Sequence, residues 1–318
     1  MGLSLDKYID FIEKQNLTWP KPPPCRPVKA KPTFRPLPSV RAVCWENYGT
    51  LVRIGEGELQ HQTEHPVPLQ VALSKTIQQY NMWNSMVRKP GEPWEVLLPQ
   101  YAKLLEENRM AGVHKGATPE VDSSVVWRKI FDRLRERDYQ YDARLLGEAD
   151  ELADKVSYFF HASLQGVELQ PGAAEVLSAL HADGIAQGIA DNGQRFTFFQ
   201  TLRQLKRQGR LNSPETVISR SLSLFSVDIG IRASSVLFFQ QVAARYSEAG
   251  FAPREVVYVG SKLQERLALA RRAGFRTILY AGDAVSLRAT NEGLRDEQSK
   301  PDRLITDLNQ LKQIIGLP

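Results

Sequence analysis

Val256 to Val259 form an uninterrupted apolar run, β-branched except at Tyr258. A strand that is apolar at every position, instead of at alternate ones, suits a sheet covered by helices on both faces. The run ends at Gly260-Ser261. A helix predicted from Leu263 to Ala273 then stops at Gly274, a residue suited to a left-handed C-terminal cap. Thr277 to Tyr280 reads as the next strand, and Leu304-Ile305 and Leu308 to Ile315 as a last strand and helix. Further upstream, Pro171-Gly172 opens a helix through Val176, Leu177 and Leu180 that closes at Gly184. A strand from Ala186 to Ala190 follows and ends in Asp191-Asn192-Gly193. Thr216 to Ile218 is predicted as a short strand, and Ser235 to Ser247 as a helix with Val236, Phe239, Val242 and Ala243 on one face. Strands alternating with helices predict an α/β fold, a doubly wound, mostly parallel sheet.

The first strand, Val40 to Trp45, stands apart from the others. It runs into Glu46 and a polar turn, Asn47-Tyr48-Gly49-Thr50. A carboxylate at the carboxyl end of an apolar strand is where open α/β sheets place their chemistry. From about Pro68 to Ala162 the pattern is helical almost throughout, with Trp127, Ile130, Phe131 and Leu134 on one face and breakers at Pro90-Gly91 and Gly112 to Pro119. Such a block between strands predicts an inserted helical subdomain. At the N-terminus, Leu5, Tyr8, Ile9 and Ile12 have helical spacing, and Trp19 to Pro38 is Pro-rich with scattered Lys and Arg. The expected division is 1–38 as helix and basic linker, 39–54 with 166–318 as the α/β core, and 55–165 as the helical insertion. Residues 1–38 are either a segment folded back on the chain or a docking element for a protein partner.

Composition narrows the function classes. Among 318 residues the net charge is +5, with acids and bases interleaved, which speaks against a dedicated nucleic-acid binder. No apolar run approaches the ~18 residues of a membrane span. Two cysteines, Cys25 and Cys44, make no disulfide framework, so a reducing, cytoplasmic setting is expected. The histidines form no metal pattern: His61 and His65 flank a polar loop, His114 lies in a Gly-rich stretch, and His161 belongs to an aromatic packing region. Trp45, Trp83, Trp94 and Trp127 read as packing residues, and strand alternation turns Cys44 away from Glu46.

Four ordered stretches resemble the haloacid dehalogenase-like superfamily. They are Trp45-Glu46-Asn47-Tyr48-Gly49-Thr50-Leu51, Ile189-Ala190-Asp191-Asn192-Gly193, Asp228-Ile229-Gly230-Ile231-Arg232, and Val259-Gly260-Ser261 through Gly274. The resemblance implies a Rossmann-like core with a helical cap after the first motif. It also implies hydrolase chemistry: a nucleophilic aspartate, a second acid in phosphatases, a Ser or Thr, a lysine, and acids that hold magnesium. This chain differs at each of those positions. Glu46 stands for the nucleophile, Tyr48 for the second acid, Asp191 for the Ser or Thr, and Arg232 for the lysine. Ser261 and Arg266 stand for the metal-binding acids, with Glu265 in a register one residue shorter. Asn192 matches.

These differences lead to an expectation of no bound metal. The expected role is that of a binding or regulatory protein, in which Glu46 and Asp191 are balanced by Arg232 and Arg266. An anion site built from Asn192, Gly193, Ser261, Arg232 and Arg266 for a small anionic ligand is a further expectation. The alternative is a divergent hydrolase, using Glu46 and Tyr48 with the two arginines in place of a metal.

Overall fold

The computed structural model describes residues 2–112, 118–209 and 213–317. His114 and the centre of the Gly112 to Pro119 breaker lie outside the described residues. The chain divides into two units. One comprises 22–58, 167–193 and 201–318, and the other 1–21, 59–166 and 194–200. The N-terminal segment, expected as one piece, is thus shared between them at Lys21–Pro22.

The first unit is built on six strands: β1 (Ala42–Trp45), β4 (Ala186–Asp191), β5 (Leu224–Phe225), β6 (Val256–Gly260), β7 (Arg276–Tyr280) and β8 (Arg303–Ile305). They pair in the order β5-β4-β1-β6-β7-β8, every neighbouring pair parallel. All residues of β1 and β6 are buried, as the apolar run requires. Fully burying one such aliphatic side chain stabilises by roughly 1.5–3 kcal/mol. A separate antiparallel pair, β2 (Val52–Arg53) with β3 (Glu168–Leu169), lies where the chain leaves and re-enters this unit.

Two elements depart from the sequence reading. Thr216 to Ile218 is not a strand, because Pro214 starts a one-turn helix, Pro214–Val217. Proline is well suited to the first helical position, and that local preference outweighs the three β-branched residues behind it. The outer strand is Leu224–Phe225 instead. The helix expected from Leu263 begins as a π turn, Leu263–Leu267, and continues in α form only over Ala268–Arg272. Gly274, at φ +92°, ends it.

The second unit is helical, with main helices Leu5–Glu13, Pro66–Gln79, Pro93–Ala111, Ser123–Arg135 and Ala149–Leu164. Its core is rich in aromatic residues, and Tyr8, Tyr101, Trp127, Phe131 and Phe160 are all buried within it. Tyr8, Ile9 and Ile12 are covered inside this unit, and the Tyr8 and Tyr80 hydroxyls are hydrogen-bonded at 2.6 Å. The apolar face of the N-terminal helix is therefore occupied by its own unit. Trp83 and Trp94 pack partly buried against the same core. No helix among the described residues is long and apolar enough to cross a membrane.

Candidate functional site

Strand register assembles the site. Trp45 lies beside Ile189 on one side and Val259 on the other. The residues that follow, Glu46, Asp191 and Ser261, therefore emerge together at the carboxyl edge of the sheet. After β1 the chain builds outward to β4 and β5, then returns to place β6 on the opposite side of β1. That reversal is the switch point at which open α/β sheets form their sites.

Glu46 is completely buried and both its carboxylate oxygens are engaged. Oε2 accepts from Thr50 Oγ1 at 2.9 Å, from Ser261 Oγ at 2.8 Å and from the Ser261 amide. Oε1 accepts from Lys262 Nζ at 2.8 Å and lies 3.9 Å from Arg266 Nε. Burial raises the carboxyl pKa, but Lys262, Arg266 and the hydrogen bonds outweigh it, and the net direction is downward. Glu46 is held as the anion.

Asp191 lies on the same face. Its Oδ2 accepts from the amides of Asn47 (3.2 Å) and Tyr48 (2.9 Å), and its Oδ1 from the Asn192 amide (2.7 Å). Arg266 Nε is 3.5 Å from Oδ1 but is not aligned as a hydrogen bond. With no ammonium bonded to it, burial and the neighbouring Glu46 charge push this carboxyl up to about 6, in spite of Lys262 and Arg266.

Arg266 is the largest buried cation of the site, with a side chain 1% exposed. Its Nη2 lies 3.2 Å from Glu58 Oε1, and Arg232 Nη2 lies 3.5 Å from Glu58 Oε2. Glu46, Asp191 and Glu58 thus face Lys262, Arg266 and Arg232, and the more exposed Glu265 carboxylate lies 4.0 Å from Arg266 Nη1. The sequence reading brought together Glu46, Asp191, Ser261 and Arg266 but missed Lys262 and Glu58. Arg232 joins through Glu58. Of the two candidates, Arg266 faces the buried network with a side chain 1% exposed, while that of Glu265 is 55% exposed.

The remaining candidates have internal roles. Asn192 Oδ1 accepts from the Ala233 amide at 2.8 Å, and the Gly193 amide donates to Ser226 Oγ at 2.9 Å. Tyr48 is buried, and its carbonyl accepts from Lys262 Nζ at 3.0 Å. Cys44 belongs to an apolar cluster with Tyr246 and Tyr258, and burial pushes its thiol up to about 12. In the helical unit, His161 is buried with Nε2 3.1 Å from Ser123 Oγ, and burial holds it neutral, well below the usual imidazole range.

The structure of a 2-haloacid dehalogenase from Pseudomonas syringae pv. Tomato is similar over 87% of this chain and 98% of its own, with a TM-score of 0.52 and 21% identity. The fold is haloacid dehalogenase-like. Two other similar structures are an L-2-haloacid dehalogenase from Xanthobacter autotrophicus (16% identity, 87% and 98% covered, TM-score 0.42) and a HAD phosphatase from Thermococcus onnurineus (16%, 87% and 98%, TM-score 0.45). No protein-family model and no curated protein matches the sequence.

Magnesium, which the haloacid dehalogenase-like fold implies, does not fit the residues present. Magnesium requires about six oxygen ligands at roughly 2.0–2.1 Å. At the Glu46 carboxylate an ammonium group already takes Oε1, and a guanidinium lies beside Asp191. Among the described residues, no group of three His, Cys, Asp or Glu side chains converges as a ligand set.

Proposed function

We propose that this chain is a haloacid dehalogenase-like protein without metal-dependent hydrolase activity, its motif positions converted into an ion-pair network, and that it acts as a binding or regulatory protein. One observation carries the reading: the carboxylate at the nucleophile position is wholly buried and accepts hydrogen bonds at both oxygens. A nucleophile needs an oxygen within attacking distance of a substrate atom, about 3–3.5 Å. A wholly buried oxygen with an ammonium seated on it leaves no room for a substrate atom at that distance.

A small anion is the ligand that the charge pattern supports, since Arg232 and Arg266 already grip one carboxylate, that of Glu58. The two unpaired cysteines support a reducing, cytoplasmic location. The test is turnover of a panel of phosphate monoesters and 2-haloacids, with magnesium and with chelator. The expected result is no hydrolysis above that of a Glu46→Gln variant. Magnesium-dependent turnover that Glu46→Gln abolishes would overturn the proposal. Chelator-insensitive turnover abolished by the same change would establish the divergent hydrolase instead.

A further inference from the structure

Three oxygen atoms from two stretches of the chain, 46–48 and Gly57, converge on the Lys262 ammonium. Glu46 Oε1 lies at 2.8 Å, and the carbonyls of Tyr48 and Gly57 both lie at 3.0 Å. An ammonium has three hydrogens, so each has one acceptor. The Lys262 side chain is 2% exposed.

The cradle is built by close backbone approaches. Gly57 has φ +66°, and a Cβ there would lie 2.8 Å from the Ser286 backbone. Gly49, at φ +95°, turns the chain beside Tyr48, and a Cβ there would meet the Ser261 and Ser286 side chains below 3.0 Å. Glycine at these two positions lets the 48–49 and 55–57 turns close over the ammonium and aim their carbonyls inward.

Inward-facing oxygens, one of them anionic, around a buried point are what proteins use to hold a cation. In this chain the cation is part of the protein. We propose that the oxygens of Glu46, Tyr48 and Gly57 form a cation receptor of which Lys262 is the covalently tethered, permanent occupant, so that the fold is independent of any dissociable metal. The proposal rests on the non-hydrolytic reading of the same network and deepens it by naming what fills the cradle. Separations of 2.8–3.0 Å are those of N–H···O bonds, so the receptor is matched to an ammonium.

The test is chemical rescue in the full-length protein. Lys262→Ala removes the atoms of a propylammonium ion, so n-propylammonium chloride is the probe and tetramethylammonium chloride, which has no N–H, the ionic-strength control. Lys262→Ala is expected to lower Tm by about 5 °C or more, and propylammonium to restore at least half of that loss saturably while the control does not. Lys262→Met, which refills the channel with an uncharged chain, is expected to lose stability and to ignore propylammonium. A Lys262→Ala protein that melts like wild type, or responds equally to both salts, overturns the proposal. So does saturable binding of Mn²⁺ to wild type that magnesium displaces and Glu46→Gln removes. If Lys262→Ala is recovered only unfolded, refolding with propylammonium decides: folded protein supports the receptor, and none overturns it. Hydrolysis by wild type would defeat the functional reading without touching this result, and failed rescue would leave that reading standing.

Discussion

Lys262 Nζ stands 2.8 Å from Glu46 Oε1, and the two side chains are 2% and 0% exposed. The pair forms where two parallel strands end side by side, so the backbone fixes it before either side chain chooses a rotamer. A buried pair in this setting tolerates poorly the loss of one partner.

Glu46→Gln keeps the shape and removes the charge, leaving the ammonium without its anion. It is expected to destabilise the protein by about 3 kcal/mol, measured as the shift in urea midpoint at constant slope. Glu46→Asp should be costly as well, since a carboxylate shortened by one methylene cannot meet Thr50, Ser261 and Lys262 together.

Asp191 gives stability an unusual acid dependence. Its folded-state pKa, about 6, lies above the ordinary carboxylate value of 3.8. Between those two pH values the folded state binds a proton that the unfolded state does not, so this group's contribution to stability rises as pH falls from about 6 toward 4. Glu46 acts in the opposite sense. Its lowered pKa contributes stability above about 4.5 that is lost as pH falls further. Melting curves should therefore show a gain through the first window and a loss below it, and Asp191→Asn should reduce the gain to the part left by Asp154, whose carboxyl burial also pushes up to about 6.

Arg266→Met is expected to cost on the order of 3–5 kcal/mol, because it leaves the buried Asp191 and Glu46 with one cation fewer. Combined with Asp191→Asn the loss should fall short of the sum, with a coupling energy of roughly 1–3 kcal/mol in a double-mutant cycle. Strict additivity would show that the 3.5 Å separation carries no energy.

Glu58 is the partly exposed member of the set, with a side chain 29% exposed. Its pairing is screened by solvent, so Glu58→Gln should change stability by only about 0–1 kcal/mol. It removes the carboxylate that both guanidinium groups share. Titration with inorganic phosphate and with acetate should show tighter binding in the variant than in wild type, and equal affinities would remove Glu58 as an internal competitor.

Much of this site could be read from the chain before any coordinates. Apolar strands must be parallel and covered, and their carboxyl ends must share one edge, which is enough to bring Glu46, Asp191 and Ser261 together. Lys262 escaped because lysine is seldom buried, and a lysine opening a helix reads as a surface residue. Glu58 escaped because it follows a Gly-Glu-Gly turn with no periodicity to orient it. The choice between Glu265 and Arg266 depended on a π turn, which widens the helix start by one residue and has no dependable sequence signal. At Thr216 to Ile218, β propensity pointed to a strand while the preceding proline began a helix.

The Pro-rich segment carries one more consequence, for solubility. β8 is an outer strand of the sheet, and the arm runs alongside it. The Thr33 amide donates to the Leu304 carbonyl at 2.9 Å, the Leu304 amide donates to Thr33 Oγ1 at 2.8 Å, and Arg303 reaches the carbonyls of Arg35 and Pro36. An uncovered outer strand is a template for another chain to pair with. A proline-rich cover occupies that edge and, having few amides of its own, offers little for the next molecule to extend. Removing residues 22–38 should thus increase edge-to-edge self-association, read as a rise in light scattering over that of the full-length chain.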